Sequence, residues 1–315
     1  MQNTTANPHL ILFFDVNGTM ILEDSTKKES PEYMLNNALA KNTFANWDGQ
    51  TEAEEKICRI SFKQYVDHVL VPGDKSDAAI KRQRQDRISG FVDWLSQSSH
   101  DCKDQVLDDY SKIREKFTNP STGEVNFTIF NSFYHMLDTL REKEIPFTIV
   151  LRSFGHDLRS VVREIQDHPS GITINRWAKF EQTTFTIEQI GTVEKVEDIF
   201  DLFLSSPSHF AVQDDWKRWN LDGELGRSGK PFIYDASGSR GRENLSLLFD
   251  DNVTGEMHDI VCPCEISGQN EPIHSLYGKQ VFAVNTRDAA LDDHYFTDRV
   301  LQAIKIWADT KSSRG

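Results

Sequence analysis

The chain has 315 residues, of which 38% are hydrophobic and 27% charged, and this length allows a substantial core in one large domain or in two. Its 49 acidic and 35 basic residues give a formal net charge of -14, which argues against nucleic acid or an anionic membrane as a partner. No apolar run approaches the roughly 18 residues needed to span a bilayer, and residues 1–7 are too polar for a secretory signal, so we expect a cytoplasmic protein.

The first predicted element is a strand that ends in a carboxylate. The apolar run Leu10–Phe14 precedes Asp15 and is typical of a strand buried on both faces of a parallel sheet. Gly18 then permits a tight turn, and Thr19 is placed to direct its hydroxyl toward the end of the strand. Because the functional crevice of an open α/β sheet lies at the carboxyl ends of its strands, we expect Asp15 at the floor of that crevice.

Amphipathic helical patterns dominate the following hundred or so residues. Pro31 follows Ser30 in a combination typical of a helix start, and apolar residues recur at helical spacing as far as Phe117. We predict that residues 23–119 form a small helical bundle inserted after the first strand. The loop composition of Asn119–Gly123 marks the return of the chain to the sheet domain.

The rest of the chain alternates between predicted strands and helices, as in an α/β domain. Further strands are predicted at 147–151, 245–249 and 281–284, and the first two are followed by polar residues, Ser153 and the pair Asp250-Asp251. Helices are predicted near 129–143, 157–165 and 296–307. The less regular stretch 172–235 is expected to form an elaborated loop or hairpin near the crevice.

These motifs, in this order, resemble those of the haloacid dehalogenase-like (HAD) phosphohydrolases. The first signature of that family is a hydrophobic strand followed by Asp-x-Asp-Gly-Thr, and the chain matches it at Asp15, Gly18 and Thr19, with Asn17 in place of the second Asp. The resemblance covers residues 1–22 and 120–315. It implies a Rossmann-like core with a central parallel sheet, a C1-type helical cap at 23–119, and a phosphatase that acts on a small phosphorylated metabolite.

The resemblance also implies catalytic roles for the matched residues. Asp15 corresponds to the nucleophile that becomes an aspartyl phosphate, and Ser153 to the hydroxyl that binds the transferring phosphoryl group. Lys230 corresponds to the lysine that neutralises the charge of nucleophile and phosphate. Its neighbours, Gly and Pro, also favour a turn, so Lys217 and Arg218 are alternatives for this role.

A Mg²⁺ site formed by Asp15, Asp250, Asp251 and the main-chain carbonyl of Asn17 is implied in the same way. Asn17 stands where the related phosphatases carry the Asp that protonates the leaving group. An amide has no proton to exchange near neutral pH, so Asn17 cannot act as a general acid or base. Three outcomes stay open: a slow phosphatase that uses another acid or base, a phosphotransferase, and a protein that binds a ligand or another protein without turnover.

The four cysteines are too few and too scattered to predict a disulfide framework. Cys262 and Cys264 are the one closely spaced pair, separated by a single proline. No second pair of Cys or His stands at zinc spacing, so we expect two ordinary thiols at a loop or strand edge.

Overall fold

The computed structural model describes residues 7–22, 30–47, 59–74, 76–181, 184–205, 208–236, 238, 243–254 and 259–313. Residues 1–6 and Cys58, one of the four cysteines, lie outside these ranges. The chain divides into two compact units, the first comprising 1–26, 129–284 and 292–315 and the second comprising 27–128 and 285–291. The sequence predicts the borders at 22/23 and 119/120 and assigns residues 285–291 to the sheet domain.

The described strands, in chain order, are β1 (His9–Asp15), β2 (Phe44–Ala45), β3 (Ile60–Ser61), β4 (Phe147–Ser153), β5 (Arg176–Glu181), β6 (Thr184–Ile187), β7 (Gly191–Val193), β8 (Phe210–Gln213), β9 (Lys230–Tyr234), β10 (Asn244–Asp250), β11 (Val261–Glu265) and β12 (Val281–Ala283). The α-helices are α1 (Pro31–Asn42), α2 (Phe62–Tyr65), α3 (Ala78–Ser89), α4 (Phe91–Ser96), α5 (Lys103–Phe117), α6 (Asn131–Glu142), α7 (Leu158–Asp167), α8 (Val196–Leu204), α9 (Trp216–Leu221), α10 (Ile273–Leu276), α11 (Thr286–Leu291) and α12 (Tyr295–Ser312). Among the described residues, no helix combines the length and the apolar character that crossing a membrane requires.

An eight-stranded sheet forms the centre of the first unit, in the order β12-β10-β1-β4-β8-β5-β6-β7. The six strands from β12 to β5 are parallel, and β6 and β7 extend the sheet as antiparallel strands. The chain passes from β1 to β4 on one side and later to β10 on the other, so the strand order switches at β1. Ligand crevices of doubly wound sheets lie at such switch points. The predicted α/β class is confirmed, and the predicted central parallel sheet is parallel except at β6 and β7.

Strand β1 is buried because successive side chains enter cores on opposite faces of the sheet. Phe13 makes edge-to-face contacts with Phe203 of α8 and Phe232 of β9, with ring centroids 5.5 and 5.6 Å apart. Phe14 makes similar contacts on the other face, with Phe133 of α6 and Phe296 of α12. The apolar run before Asp15 is therefore covered on both faces, and the end of the strand is held rigidly.

The stretch 172–235 contains a hairpin, β5-β6, as the sequence predicts, and also regular elements that the sequence does not predict. Strand β8 lies inside the main sheet, where it pairs with both β4 and β5. Its four residues are too few to show a strand periodicity, and its conformation depends on the partners on either side. Lys230, whose neighbours favour a turn, is instead the first residue of β9, which pairs with β11 in a separate two-stranded parallel sheet.

The second unit contains α1–α5 and α11, together with the short antiparallel pair β2-β3. The buried rings of Phe62 and Phe91 stack in its core, the exposed Trp94 stacks on Phe62, and Trp47 contacts all three. The predicted helical character of this segment agrees with the structure.

Candidate active site at the carboxyl edge of the sheet

Two carboxylates lie side by side at the carboxyl ends of neighbouring strands. Phe14 of β1 is in register with Phe249 of β10, so the next residues, Asp15 and Asp250, emerge at the same level. Both side chains are buried, with relative exposures of 6% and 0%. Asp251 joins them, and one carboxylate oxygen from each of the three residues lies within 4.8 Å of the others. The structure thus brings together the three acidic side chains that the sequence suggests as metal ligands.

Lys230 places its ammonium group between two of these carboxylates. Its Nζ pairs with Oδ1 of Asp15 and lies 2.7 Å from Oδ2 of Asp250. The lysine side chain is only 2% exposed, and Nζ stands 5.0 Å from the ring centroid of Phe154. Lys217 and Arg218, the alternatives from the sequence, belong to α9.

The charges of this cluster do not balance. Three carboxyl groups surround one ammonium group, so the acidic groups outnumber the basic one by two. Burial raises the pKa of Asp15 well above the usual carboxyl value, and the carboxylates of Asp250 and Asp251 add to this rise, against the opposing effect of Lys230. For Lys230, burial disfavours the charged form, but the adjacent Asp15 and Asp250 outweigh it and raise the pKa above the usual lysine value. A divalent cation would neutralise the excess negative charge.

The turn after β1 holds Asp251 in place. Gly18 adopts a φ of +75°, which is strained for other residues, and a Cβ atom there would lie 2.2 Å from Oδ2 of Asp251. The Thr19 hydroxyl oxygen accepts a hydrogen bond from the backbone N–H of Asp251 at 3.0 Å. The Gly-Thr sequence therefore serves two needs: close backbone approach to one carboxylate and a side-chain acceptor for the same loop.

Asn17 and Ser153 both bind a carboxylate whose role the sequence does not indicate. Asp157 is fully buried and accepts hydrogen bonds from Asn17 Nδ2 at 2.5 Å and from Ser153 Oγ at 2.7 Å. Ser153 Oγ in turn accepts from the N–H of Gly155 at 2.9 Å. The sequence places Asp157 near the start of α7, and it does occupy the N-cap position, but its carboxylate makes no capping bond there. Asn17 Oδ1 is buried and has no hydrogen-bond partner among the described residues.

Arg152, which the sequence places beside Ser153 as a surface or capping residue or a substrate contact, is almost completely buried. Its guanidinium forms a bidentate pair with Asp214, with Nε 3.0 Å from Oδ2, and it donates to the carbonyl of Pro231 at 2.7 Å. The N–H of Asp214 also donates to the carbonyl of Ser153 at 2.8 Å. Asp214 lies directly after β8. Because the sequence does not predict β8, it gives no sign that Asp214 lies beside Arg152. This network joins the carboxyl ends of β4 and β8 to the first residues of β9.

The residues present suit a hard divalent cation such as Mg²⁺. Such cations prefer carboxylate and carbonyl oxygens, and the cluster offers three buried or half-buried carboxylates with an unbalanced negative charge. The side-chain oxygen of Asn17, on the turn after Asp15, is a further buried oxygen without a hydrogen-bond partner among the described residues.

Comparisons of the chain with protein families, with curated proteins and with solved structures found no match.

Proposed function

We propose that this protein is a Mg²⁺-dependent phosphohydrolase of the HAD type, acting on a small phosphorylated metabolite. The observation that supports it best is the junction of β1 and β10, where Asp15 and Asp250 share the ammonium of Lys230 and Asp251 completes an acidic cluster. Phosphoryl transfer depends mainly on positioning and on neutralising charge, and this cluster supplies groups for both. In this proposal the second unit corresponds to the inserted helical cap.

The reaction begins with attack of an Asp15 carboxylate oxygen on phosphorus. The bond from phosphorus to the leaving oxygen breaks, and an aspartyl phosphate forms on Asp15. Water then attacks the same phosphorus, which releases inorganic phosphate and regenerates the carboxylate. Lys230 offsets the charge of Asp15 and of the phosphoryl oxygens throughout. Mg²⁺ held by Asp15, Asp250 and Asp251 would supply further neutralisation of phosphoryl charge.

Asn17 makes the identity of the leaving group important. With an amide at this position, the leaving oxygen takes its proton from another acid or from water, or departs as an anion. General acid catalysis contributes about 10²- to 10⁴-fold, and its absence penalises poor leaving groups most. We therefore expect an aryl phosphate, whose phenolate leaves readily, to be hydrolysed much faster than an alkyl phosphate.

Turnover of p-nitrophenyl phosphate with Mg²⁺ tests the proposal. We expect Asp15→Asn to abolish turnover, because an amide cannot act as the nucleophile. Asp108→Asn removes an exposed carboxylate of the second unit and serves as the matched control with wild-type activity. If the wild type shows no turnover that exceeds the Asp15→Asn variant, the hydrolase proposal is wrong.

A second candidate is a domain that binds a phosphorylated ligand without turnover. The bond from Asn17 to Asp157 favours it, because the residue in the place of the general acid is committed to a structural contact. In that case beryllofluoride with Mg²⁺ would bind at Asp15 and stabilise the fold, yet prolonged incubation with phosphate esters would release no phosphate. Detectable phosphate release that depends on Asp15 excludes this candidate.

A further inference from the structure

A pair of thiols lies on β11, the strand that pairs with the Lys230 strand. Cys262 and Cys264 are two residues apart in the strand, so their side chains point to the same face. Their Sγ atoms are 3.9 Å apart, both residues are half-buried, and both are free thiols. No element of the proposed hydrolase mechanism uses this pair.

The hydrogen bonds around the two sulfur atoms make them chemically unequal. Cys264 Sγ lies 3.3 Å from the carbonyl oxygen of Cys262 and 3.9 Å from its sulfur, and Cys262 donates its S–H to the carbonyl of Arg227 at 3.4 Å. The contact with Cys264, together with the nearby charge of Arg218, lowers the pKa of Cys262 against the opposing effect of burial. The same interaction, reinforced by burial, raises the pKa of Cys264. Because the thiolate is the reactive form of cysteine, Cys262 is the better nucleophile and Cys264 stands in contact with it as a protonated thiol.

We propose that Cys262 and Cys264 form a dithiol site that hydroperoxides oxidise reversibly to an intramolecular disulfide. In the first step the Cys262 sulfur attacks the peroxide oxygen, the O–O bond breaks, and the products are Cys262 sulfenic acid and an alcohol or water. In the second step the Cys264 sulfur attacks the sulfenic sulfur, a disulfide forms, and water leaves. The peroxide is reduced by two electrons, and the two thiols are oxidised.

The disulfide is expected to be strained and therefore easily reduced. Residues two apart in a strand have Cα atoms about 6.6 Å apart, at the upper end of the roughly 4.4–6.8 Å that a disulfide spans. Closing the bond pulls these Cα atoms together and bends β11. Strained disulfides have higher reduction potentials and are the labile ones, so a thiol reductant should restore the pair.

Bending of β11 acts on the strand that carries Lys230. Val261 and Cys262 are in register with Lys230 and Pro231, and the N–H of Lys230 donates to the carbonyl of Ile260 at 2.6 Å. The backbones of Gly229 and Ile260 approach each other so closely that a Cβ atom at Gly229 would lie 2.3 Å from the Ile260 carbonyl oxygen. Oxidation should therefore loosen β9 at its first residues, where the site lysine emerges.

Peptide mass spectrometry of the full chain after hydrogen peroxide treatment and alkylation tests the site directly. We expect the peptide that contains Cys262 and Cys264 to lose about 2 Da, the two hydrogens removed, and to take up no alkyl group. Dithiothreitol should restore two alkylation sites. Cys102→Ser is the control and should behave as the wild type, because Cys102 lies in the second unit beside His100.

Single variants distinguish the two roles. In Cys264→Ser, Cys262 has no resolving thiol, so dimedone should trap its sulfenic acid. In Cys262→Ser, dimedone labelling of Cys264 should be at least several-fold weaker. Equal labelling in both variants, or a wild-type pair that stays fully alkylatable after peroxide, overturns the proposal, as does a disulfide from either residue to Cys102.

Hydrogen exchange tests the coupling to β9 without any measurement of catalysis. The amides of Lys230 and of Phe232–Tyr234 should exchange faster in the peroxide-treated wild type than in the reduced protein, and equally fast in treated and untreated Cys264→Ser. Unchanged exchange in the oxidised wild type would show that the disulfide does not reach β9. Neither readout depends on phosphatase activity, so failure of the hydrolase proposal leaves this inference intact.

Discussion

The side-chain amide of Asn17 donates a hydrogen bond to the buried carboxylate of Asp157, with 2.5 Å between Nδ2 and Oδ2. Asp157 also accepts from Ser153, so its two oxygens bind donors from the ends of β1 and β4. An aspartate at position 17 would place its carboxylate directly against the buried carboxylate of Asp157. The bond therefore gives a physical reason for an amide at position 17.

We predict that Asn17→Asp lowers the free energy of unfolding by about 2–4 kcal/mol, since it replaces a hydrogen bond to a buried carboxylate by repulsion between two carboxylates. The double variant Asn17→Asp with Asp157→Asn reverses the donor and acceptor, and should recover most of the loss. Urea denaturation measures both. Equal stability of the single variant and the wild type, or no recovery in the double variant, would contradict the role of this bond.

Replacement of Gly18 should cost more than a left-handed backbone alone explains. Ala at φ +75° costs about 1–2 kcal/mol from the backbone, and its Cβ must also displace the Asp251 carboxylate. Gly278 is the matched control, with φ +72° and no atom within 4 Å of a Cβ. We expect Gly18→Ala to be the more destabilising by denaturation and to weaken stabilisation by Mg²⁺. Equal losses in the two variants would show that the approach to Asp251 is unimportant.

Mg²⁺ should stabilise the fold through the acidic cluster. A ligand at 100 times its Kd contributes about 2.7 kcal/mol, so the melting temperature measured by calorimetry should rise with Mg²⁺ and fall again with a chelator. Asp250→Asn removes one carboxylate and should reduce the rise, whereas Asp108→Asn should not. A rise of equal size in Asp250→Asn would place the Mg²⁺ effect elsewhere on the protein.

His209 should make the fold sensitive to mild acid. Its Nδ1 accepts a hydrogen bond from the N–H of Ile149 at 3.0 Å, and burial, helped by the charges of Arg141 and His9, lowers its pKa to about 4. The unfolded chain binds a proton near pH 6.5, as free histidine does, whereas the folded protein does not bind it until about pH 4. The contribution of neutral His209 to the free energy of unfolding is therefore complete above about pH 6.5 and is lost as the pH falls toward about 4.

The corresponding test compares denaturation of the wild type and His209→Asn at pH 7 and pH 4.5. Between pH 7 and pH 4.5 the free energy of unfolding of the wild type should fall by about 1–3 kcal/mol more than that of His209→Asn, since each pKa unit corresponds to about 1.4 kcal/mol. His68→Asn removes an exposed histidine and should follow the wild type. Parallel losses in the wild type and His209→Asn would rule out this histidine as the acid-sensitive group.

The sequence alone was sufficient to identify three of the strands that carry the candidate site, although not β9, which carries Lys230. Leu10–Phe14, Phe147–Leu151 and Leu245–Phe249 are apolar runs followed by polar residues, and all three became central parallel strands. This pattern is local, because a strand covered on both faces needs apolar residues at every position. The same runs located Asp15, Asp250 and Asp251 at one edge of the sheet, where the structure places them within reach of one another.

Only the tertiary structure decided which partners those residues have. Strand β8 depends on pairing with two neighbours, and Lys230 reaches Asp15 from 215 positions along the chain. Asp157 looks like an ordinary helix cap in the sequence, but its carboxylate binds Asn17, 140 positions away. A buried charge needs a partner, and its partner is set by the packing of segments that are distant in the chain. A local sequence pattern carries no information about such contacts.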